Sequence, residues 1–109
     1  RKMTILVIGT WLVRPEKQVE FSRLWKRFLE YLKKNPKMFK EVKSLKFFTQ
    51  MFGGIEGTYV ELAEYESLAD YETFQTRIKK NKEYMKMFQE FMLLVDPTTL
   101  STSVLTAVK

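Results

Sequence analysis

From Ile5 to Val13 the chain reads Ile-Leu-Val-Ile-Gly-Thr-Trp-Leu-Val, a run of strand formers that is apolar at both odd and even positions. A β-strand sends alternate side chains to opposite faces, so Ile5, Val7 and Trp11 lie on one side and Leu6, Ile8 and Leu12 on the other. A strand of this kind has to be covered front and back. The run is too short for a bilayer, which takes about 20 residues. Arg1-Lys2 ahead of it has the look of a signal-peptide start, but no small-residue cleavage site follows and the run is β-branched. A cytoplasmic protein is expected, with the strand opening at Met3.

The remaining elements follow from period and punctuation. Arg14-Pro15 ends the strand, and Pro15 with Glu16 suits the first turn of a helix. Phe21, Leu24, Trp25, Phe28, Leu29 and Leu32 then recur at helical spacing, with Lys26, Arg27, Glu30, Lys33 and Lys34 opposite. Asn35-Pro36 stops this helix. A short turn around Met38 and Phe39 is expected to tuck both side chains under the sheet edge. Residues 42–51 alternate as a second strand, Gly53, Gly54 and Gly57 supply a turn, and residues 58–65 return as a third strand. In that third strand Val60 and Leu62 oppose Tyr59, Glu61, Ala63 and Tyr65. Ser67, with Asp70 three residues on, opens a second helix in the manner of a capping box. Leu68, Tyr71, Phe74 and Ile78 form its stripe, a bend is expected over residues 79–83, and Met85, Phe88, Phe91, Met92 and Val95 resume. Asp96-Pro97 closes the helix, and residues 100–108 form a last strand.

The 109 residues suit one domain spanning 1–109. The order β-α-β-β-α-β describes the split βαβ arrangement, an α+β class in which right-handed crossovers set both helices on one face of a four-stranded antiparallel sheet. The other face, still apolar, is then an association surface that a second copy of the chain would cover. A homodimer through the open sheet face is therefore expected; the alternative is a monomer with a greasy face or a covering last strand.

Composition removes several chemistries. The sequence has no Cys and no His, which excludes disulfides, thiol catalysis, Cys-ligated metals and the commonest general base. Its 19 basic and 13 acidic residues give a net charge of +6, but lysines and glutamates are interleaved along the helix faces, as on an ordinary solvated surface.

A family resemblance is carried by Tyr59-Val60-Glu61-Leu62-Ala63-Glu64-Tyr65-Glu66-Ser67-Leu68-Ala69-Asp70-Tyr71, followed by a helix and the Asp96-Pro97 stop. It resembles the third strand and second helix of the dimeric α/β-barrel superfamily, the antibiotic-biosynthesis-monooxygenase-like and NIPSNAP-like proteins, where an aromatic followed by Glu-Ser ends that strand. The resemblance implies a ferredoxin-like fold, a homodimer forming a shared barrel, and a pocket between sheet and helices. Haem-degrading members place a His on the second helix shortly after the Glu-Ser. Here Phe74 and Gln75 occupy that neighbourhood, so haem ligation of that kind, or any other cofactor, is not expected. Cofactor-independent oxygenases of the family hold phenolic substrates with Trp, Tyr, Asn and Arg, and Trp11, Arg14, Trp25, Tyr59 and Tyr65 are the residues of those types here.

Glu61 is the candidate base. A mid-strand carboxylate on a covered face has its pKa raised by desolvation unless it is paired. The bland alternative is a Glu at a sheet edge or barrel mouth, bonded to Arg14 or a lysine. Trp11 and Trp25 could wall a planar ligand, or serve as core. Arg14 could hold a carboxylate or phosphate, or pair with Glu16 or Glu20. Met85, Met87 and Met92 with Phe88 and Phe91 read as core packing. RNA-recognition domains share the element order, but their third strand needs Lys or Arg, Gly and spaced aromatics. Gly57-Thr58-Tyr59-Val60-Glu61-Leu62 keeps one aromatic and adds a carboxylate, so nucleic acid is an unfavoured partner. The expectation is a small apolar or aromatic ligand bound between sheet and helices, with catalysis of the monooxygenase type or none.

Overall fold

The computed structural model describes residues 4–108. Strand β1 (Ile5–Trp11) leads through a 3-10 turn at Pro15–Lys17 into helix α1 (Gln18–Lys34). A second 3-10 turn, Pro36–Phe39, precedes β2 (Val42–Thr49), which pairs with β3 (Tyr59–Tyr65). Two helices follow, α2 (Leu68–Lys80) and α3 (Lys82–Leu94), and the chain closes on β4 (Ser101–Thr106). The expected opening of the first strand at Met3, and Arg1-Lys2 before it, lie outside the described residues.

The sheet order is β2-β3-β1-β4, antiparallel throughout, which is the ferredoxin-like βαββαβ topology. The register explains why β1 needed two apolar faces. On the helix side run the cross-strand rows Leu45–Ala63–Val7–Val104 and Phe47–Glu61–Gly9–Thr102. On the other side run Lys46–Leu62–Ile8–Ser103 and Phe48–Val60–Thr10–Ser101. Among the described residues no helix covers this second face, so Phe48 stays 50% exposed, and Leu6, Ile8, Val60 and Leu62 are only partly shielded by their sheet neighbours.

The core gathers at the two ends of the helix-covered face and, through Leu24, Tyr31 and Met87, between α1 and α3. Ile5, Ala63, Tyr65, Phe74 and Ile78 pack at one end, joined by Met38 and Phe39 from the turn after α1, as the apolar pair predicts. Trp11, Val13, Phe21 and Val95 pack at the other. Arg77 holds α2 to this framework by a bidentate pair with Glu41 and a hydrogen bond to the Met38 carbonyl.

The expected bend in the second helix is a full break. Asn81 takes an extended backbone, and its side-chain oxygen accepts from the Tyr84 N–H at 2.8 Å, starting α3 as a separate helix. An Asn that can satisfy a free helical N–H competes well with continued helix. The expected cap at Ser67 is present, its Oγ accepting from the Asp70 N–H at 3.1 Å. Asn81→Ala leaves the first turn of α3 uncapped and is expected to lower stability by about 1 kcal/mol, read as a drop of roughly 4–8 °C in Tm. An unchanged Tm would show that the break is held by packing alone. In the β2–β3 connection, Gly53 and Gly57 have φ of +92° and +87°, which restricts both positions to glycine with little strain.

Candidate functional site

A cavity of about 380 Å³ separates the helix layer from the middle of the sheet. Its floor is the row Phe47–Glu61–Gly9–Thr102 with Val7, Ala63, Trp11 and Tyr65 around it. Its roof comes from Trp25 and Phe28 of α1, Phe74 and Ile78 of α2, and Tyr84, Met87 and Phe91 of α3. It is open to solvent on one side rather than sealed. The break at Asn81 contributes to this shape, because α2 and α3 then roof the sheet as two separate segments.

Why space is left there follows from Gly9. It is the one residue without a side chain in the cavity-facing set of β1, directly across from Glu61. A Cβ on Gly9 would stand 3.9 Å from Glu61 Oε1, 3.9 Å from Trp11 Cζ3 and 3.9 Å from the Ser101 carbonyl oxygen. The missing side chain therefore opens the corner where carboxylate and indole meet. A glycine inside a strand is a recognised mark of such a close approach.

Glu61 is the one acidic residue among the described lining residues. It makes no hydrogen bond or ion pair among the described residues, so it is not the edge glutamate bonded to Arg14 or a lysine. It is half-buried on the cavity floor, and burial pushes its carboxyl up to about 6. Burial, followed by the nearby Glu61 charge, also raises the Tyr65 and Tyr84 phenols. The aromatic walls are held in place by edge and stacking contacts. Trp25 meets Phe47 edge-on at 4.6 Å, Trp11 meets Phe91 edge-on at 5.1 Å, and Phe21 stacks on Trp25 at 5.8 Å. The Trp11 Nε1–H is buried and has no acceptor among the described residues, contrary to the usual pairing of a core indole.

The raised Glu61 pKa has a stability consequence. Below pH 4.5 the carboxyl is protonated in folded and unfolded chains alike, and its contribution is fully present. As pH rises, the unfolded chain ionises first, so stability is lost until the folded group ionises near 6, a total of about 2 kcal/mol. Glu61→Gln is therefore expected to match the parent at pH 4 and exceed it at pH 7.5 by roughly 8–15 °C in Tm. Glu41, Glu90 and Asp96, whose carboxyls are held below their usual range by Arg77, Arg27 and Thr98, act in the opposite sense but equally in both proteins. A variant less stable than the parent at pH 7.5 would contradict the desolvated carboxylate.

Of the residues singled out from sequence, the structure brings Glu61, Trp11, Trp25 and Tyr65 together around the cavity. Tyr59 lies beside it, stacked on Trp11 at 5.9 Å and packed on Phe21 at 4.9 Å. Arg14 sits at the far end of the sheet, its backbone N–H donating to the Leu94 carbonyl and its charge near Asp96. Glu20 pairs with Lys17 instead of Arg14, at 3.2 Å. Gly9, Phe28, Phe47, Phe74 and Tyr84 were not anticipated as site residues, and Met85, Met87, Phe88 and Phe91 line the cavity as well as packing the core. A glycine amid strand formers is the signal in the sequence that could have found the floor. The open face bears on nucleic acid too. Trp11, Tyr59 and Tyr65 all face the helices, Leu6, Ile8, Thr10, Val60 and Leu62 carry no ring on the two central strands, and the ring the open face does present, Phe48, stands on the edge strand β2.

Among the described residues no helix is long and apolar enough to cross a membrane, and no cluster of His, Cys, Asp or Glu could hold a metal ion. No protein-family model matches the sequence, and no curated protein matches it significantly. Solved structures do. A NIPSNAP family protein from Agrobacterium tumefaciens superposes with a TM-score of 0.72 at 12% identity, over 100% of this chain and 90% of that one. A putative antibiotic biosynthesis monooxygenase from Caulobacter crescentus gives 0.71 at 18% identity, over 99% and 92%. A dimeric protein of unknown function and ferredoxin-like fold from Bacteroides fragilis gives 0.66 at 12% identity, over 95% and 96%. This chain therefore shares the ferredoxin-like fold of solved NIPSNAP family and antibiotic-biosynthesis-monooxygenase-like proteins, the fold that the resemblance implied.

Proposed function

We propose that the chain is a cytoplasmic homodimer that binds a small, mostly apolar or aromatic molecule between sheet and helices. The observation that carries this reading is the 380 Å³ aromatic cavity with Glu61 on its floor. Its size and its few polar groups in an apolar wall suit a small-molecule site. In the enzymatic form of the reading, Glu61 takes a proton from a phenolic substrate, with Trp11, Trp25 and Tyr65 holding the ring. That deprotonation enriches the ring in electrons, as cofactor-independent oxygenation requires. A carboxyl poised near 6 is a competent base at neutral pH. The placement of Arg14 and Tyr59 outside the cavity favours the second form, a binding module without chemistry, because two of the groups suited to orienting a phenol are absent from the wall.

Dimerisation is supported by the apolar open face and by the dimeric Bacteroides protein of the same fold. Trp11 and Trp25 report on the cavity directly. Titration with naphthalene-sized aromatics, followed by tryptophan emission, is expected to give a saturable change at micromolar to millimolar concentration. A linear, non-saturating response to every compound would end the ligand-binding reading.

A further inference from the structure

The cavity poses an electrostatic problem that its own residues do not solve. Glu61 stands on the floor with no hydrogen bond or ion pair among the described residues, and its surroundings are rings: Phe47 across the strand pair on one side, Trp11 past Gly9 on the other, and Tyr65 and Tyr84 close enough to feel its charge. An apolar occupant that displaced water from this floor would leave a carboxylate dry and unpaired, which is strongly unfavourable. An anionic occupant would add like-charge repulsion. A cationic one would pair with the carboxylate and meet the negative faces of the surrounding rings at the same time.

We propose that the ligand of this cavity is an aromatic or apolar amine, its ammonium seated at the Gly9 corner between Glu61 and Trp11, its apolar body under Trp25 and Phe28. The proposal rests on the ligand-binding reading above and specifies its chemical class. Gly9 supplies the room at the carboxylate, since any side chain there would stand in contact with both Glu61 Oε1 and Trp11. The one cation among the described lining residues, Lys79, is an exposed residue of α2 that forms no ion pair with Glu61, so the floor keeps its negative charge. The protein as a whole carries +6, which draws anions to its surface and repels amines. A preference for the cation therefore has to come from a local site.

The test is calorimetric titration at pH 8 with three compounds of one shape: 2-(1-naphthyl)ethylamine, 2-(1-naphthyl)ethanol and 1-naphthylacetate. The amine is expected to bind at least tenfold tighter than the alcohol, and the carboxylate weakest. In Glu61→Gln the advantage of amine over alcohol should shrink to threefold or less while the alcohol still binds. Equal or tighter binding of the alcohol or the carboxylate by the parent protein would overturn the amine assignment and leave the cavity reading intact. An amine advantage that survives in Glu61→Gln would likewise overturn it. Failure of all three to bind at millimolar concentration would remove the cavity reading, and the amine with it. Near-ultraviolet circular dichroism of Glu61→Gln confirms that the variant keeps its packing.

Discussion

Leu62→Glu is expected to convert a dimer into a monomer. Leu62 sits on a central strand of the open face, between Lys46 and Ile8, so a sheet-on-sheet homodimer places it near the middle of the contact. By twofold symmetry one substitution introduces two carboxylates into the interface, and each loses several kcal/mol of hydration when buried without a partner. A shift of about 4 kcal/mol in association corresponds to roughly a thousandfold in Kd. Light scattering behind size exclusion at micromolar concentration should give twice 13.1 kDa for the parent and 13.1 kDa for the variant. In the monomer state the same substitution projects into solvent from a face that no described helix touches, so the helical signal and the ligand response should both survive. A parent chain that runs at 13.1 kDa at these concentrations would remove the dimer and the shared barrel together.

Gly9→Leu is expected to abolish ligand binding while leaving the fold intact. Its backbone is not in the left-handed region, so a side chain is conformationally permitted, and removing a mid-strand glycine adds about 0.5–1 kcal/mol of stability. The first added carbon sits at ordinary contact distance, 3.9 Å from three neighbours, so Gly9→Ala should lose only a fewfold in affinity. The three further carbons of Leu have to occupy the corner between Glu61 and Trp11, where the ligand is proposed to sit. A loss of at least a hundredfold is expected by fluorescence or calorimetric titration, with Tm at or slightly above that of the parent at pH 4, where the Glu61 carboxyl is protonated and its burial costs little. Undiminished binding to a folded Gly9→Leu protein would place the ligand somewhere else.

These two positions also show how far the sequence could be read. Leu62 was legible: its parity opposes Glu61, and a first strand apolar on both faces already implies that the far side of the sheet needs a cover. The cap at Ser67, the proline stops and the apolar turn at Met38-Phe39 were legible for the same reason, since each is a local interaction between residues a few positions apart. The break at Asn81 was only half legible. Polar residues there announce a bend, but whether Asn81 continues the helix or caps a new one depends on how α3 docks over the sheet. Gly9 hid inside a strand-forming run. Nothing in its neighbours says that Glu61 is the residue across from it, because that pairing joins positions far apart in the chain and needs the register of β1 on β3.

The chain of residues alone therefore determined the element order, the two-sided strand and the face to which Glu61 belongs, because alternation and helical period are properties of neighbours. Only the tertiary structure decided that Trp11, Trp25, Phe47, Tyr65 and Tyr84 close around that carboxylate while Arg14 and Tyr59 stay outside. Register, helix docking and the space left by one absent side chain arise from contacts between distant segments, and no local pattern encodes them.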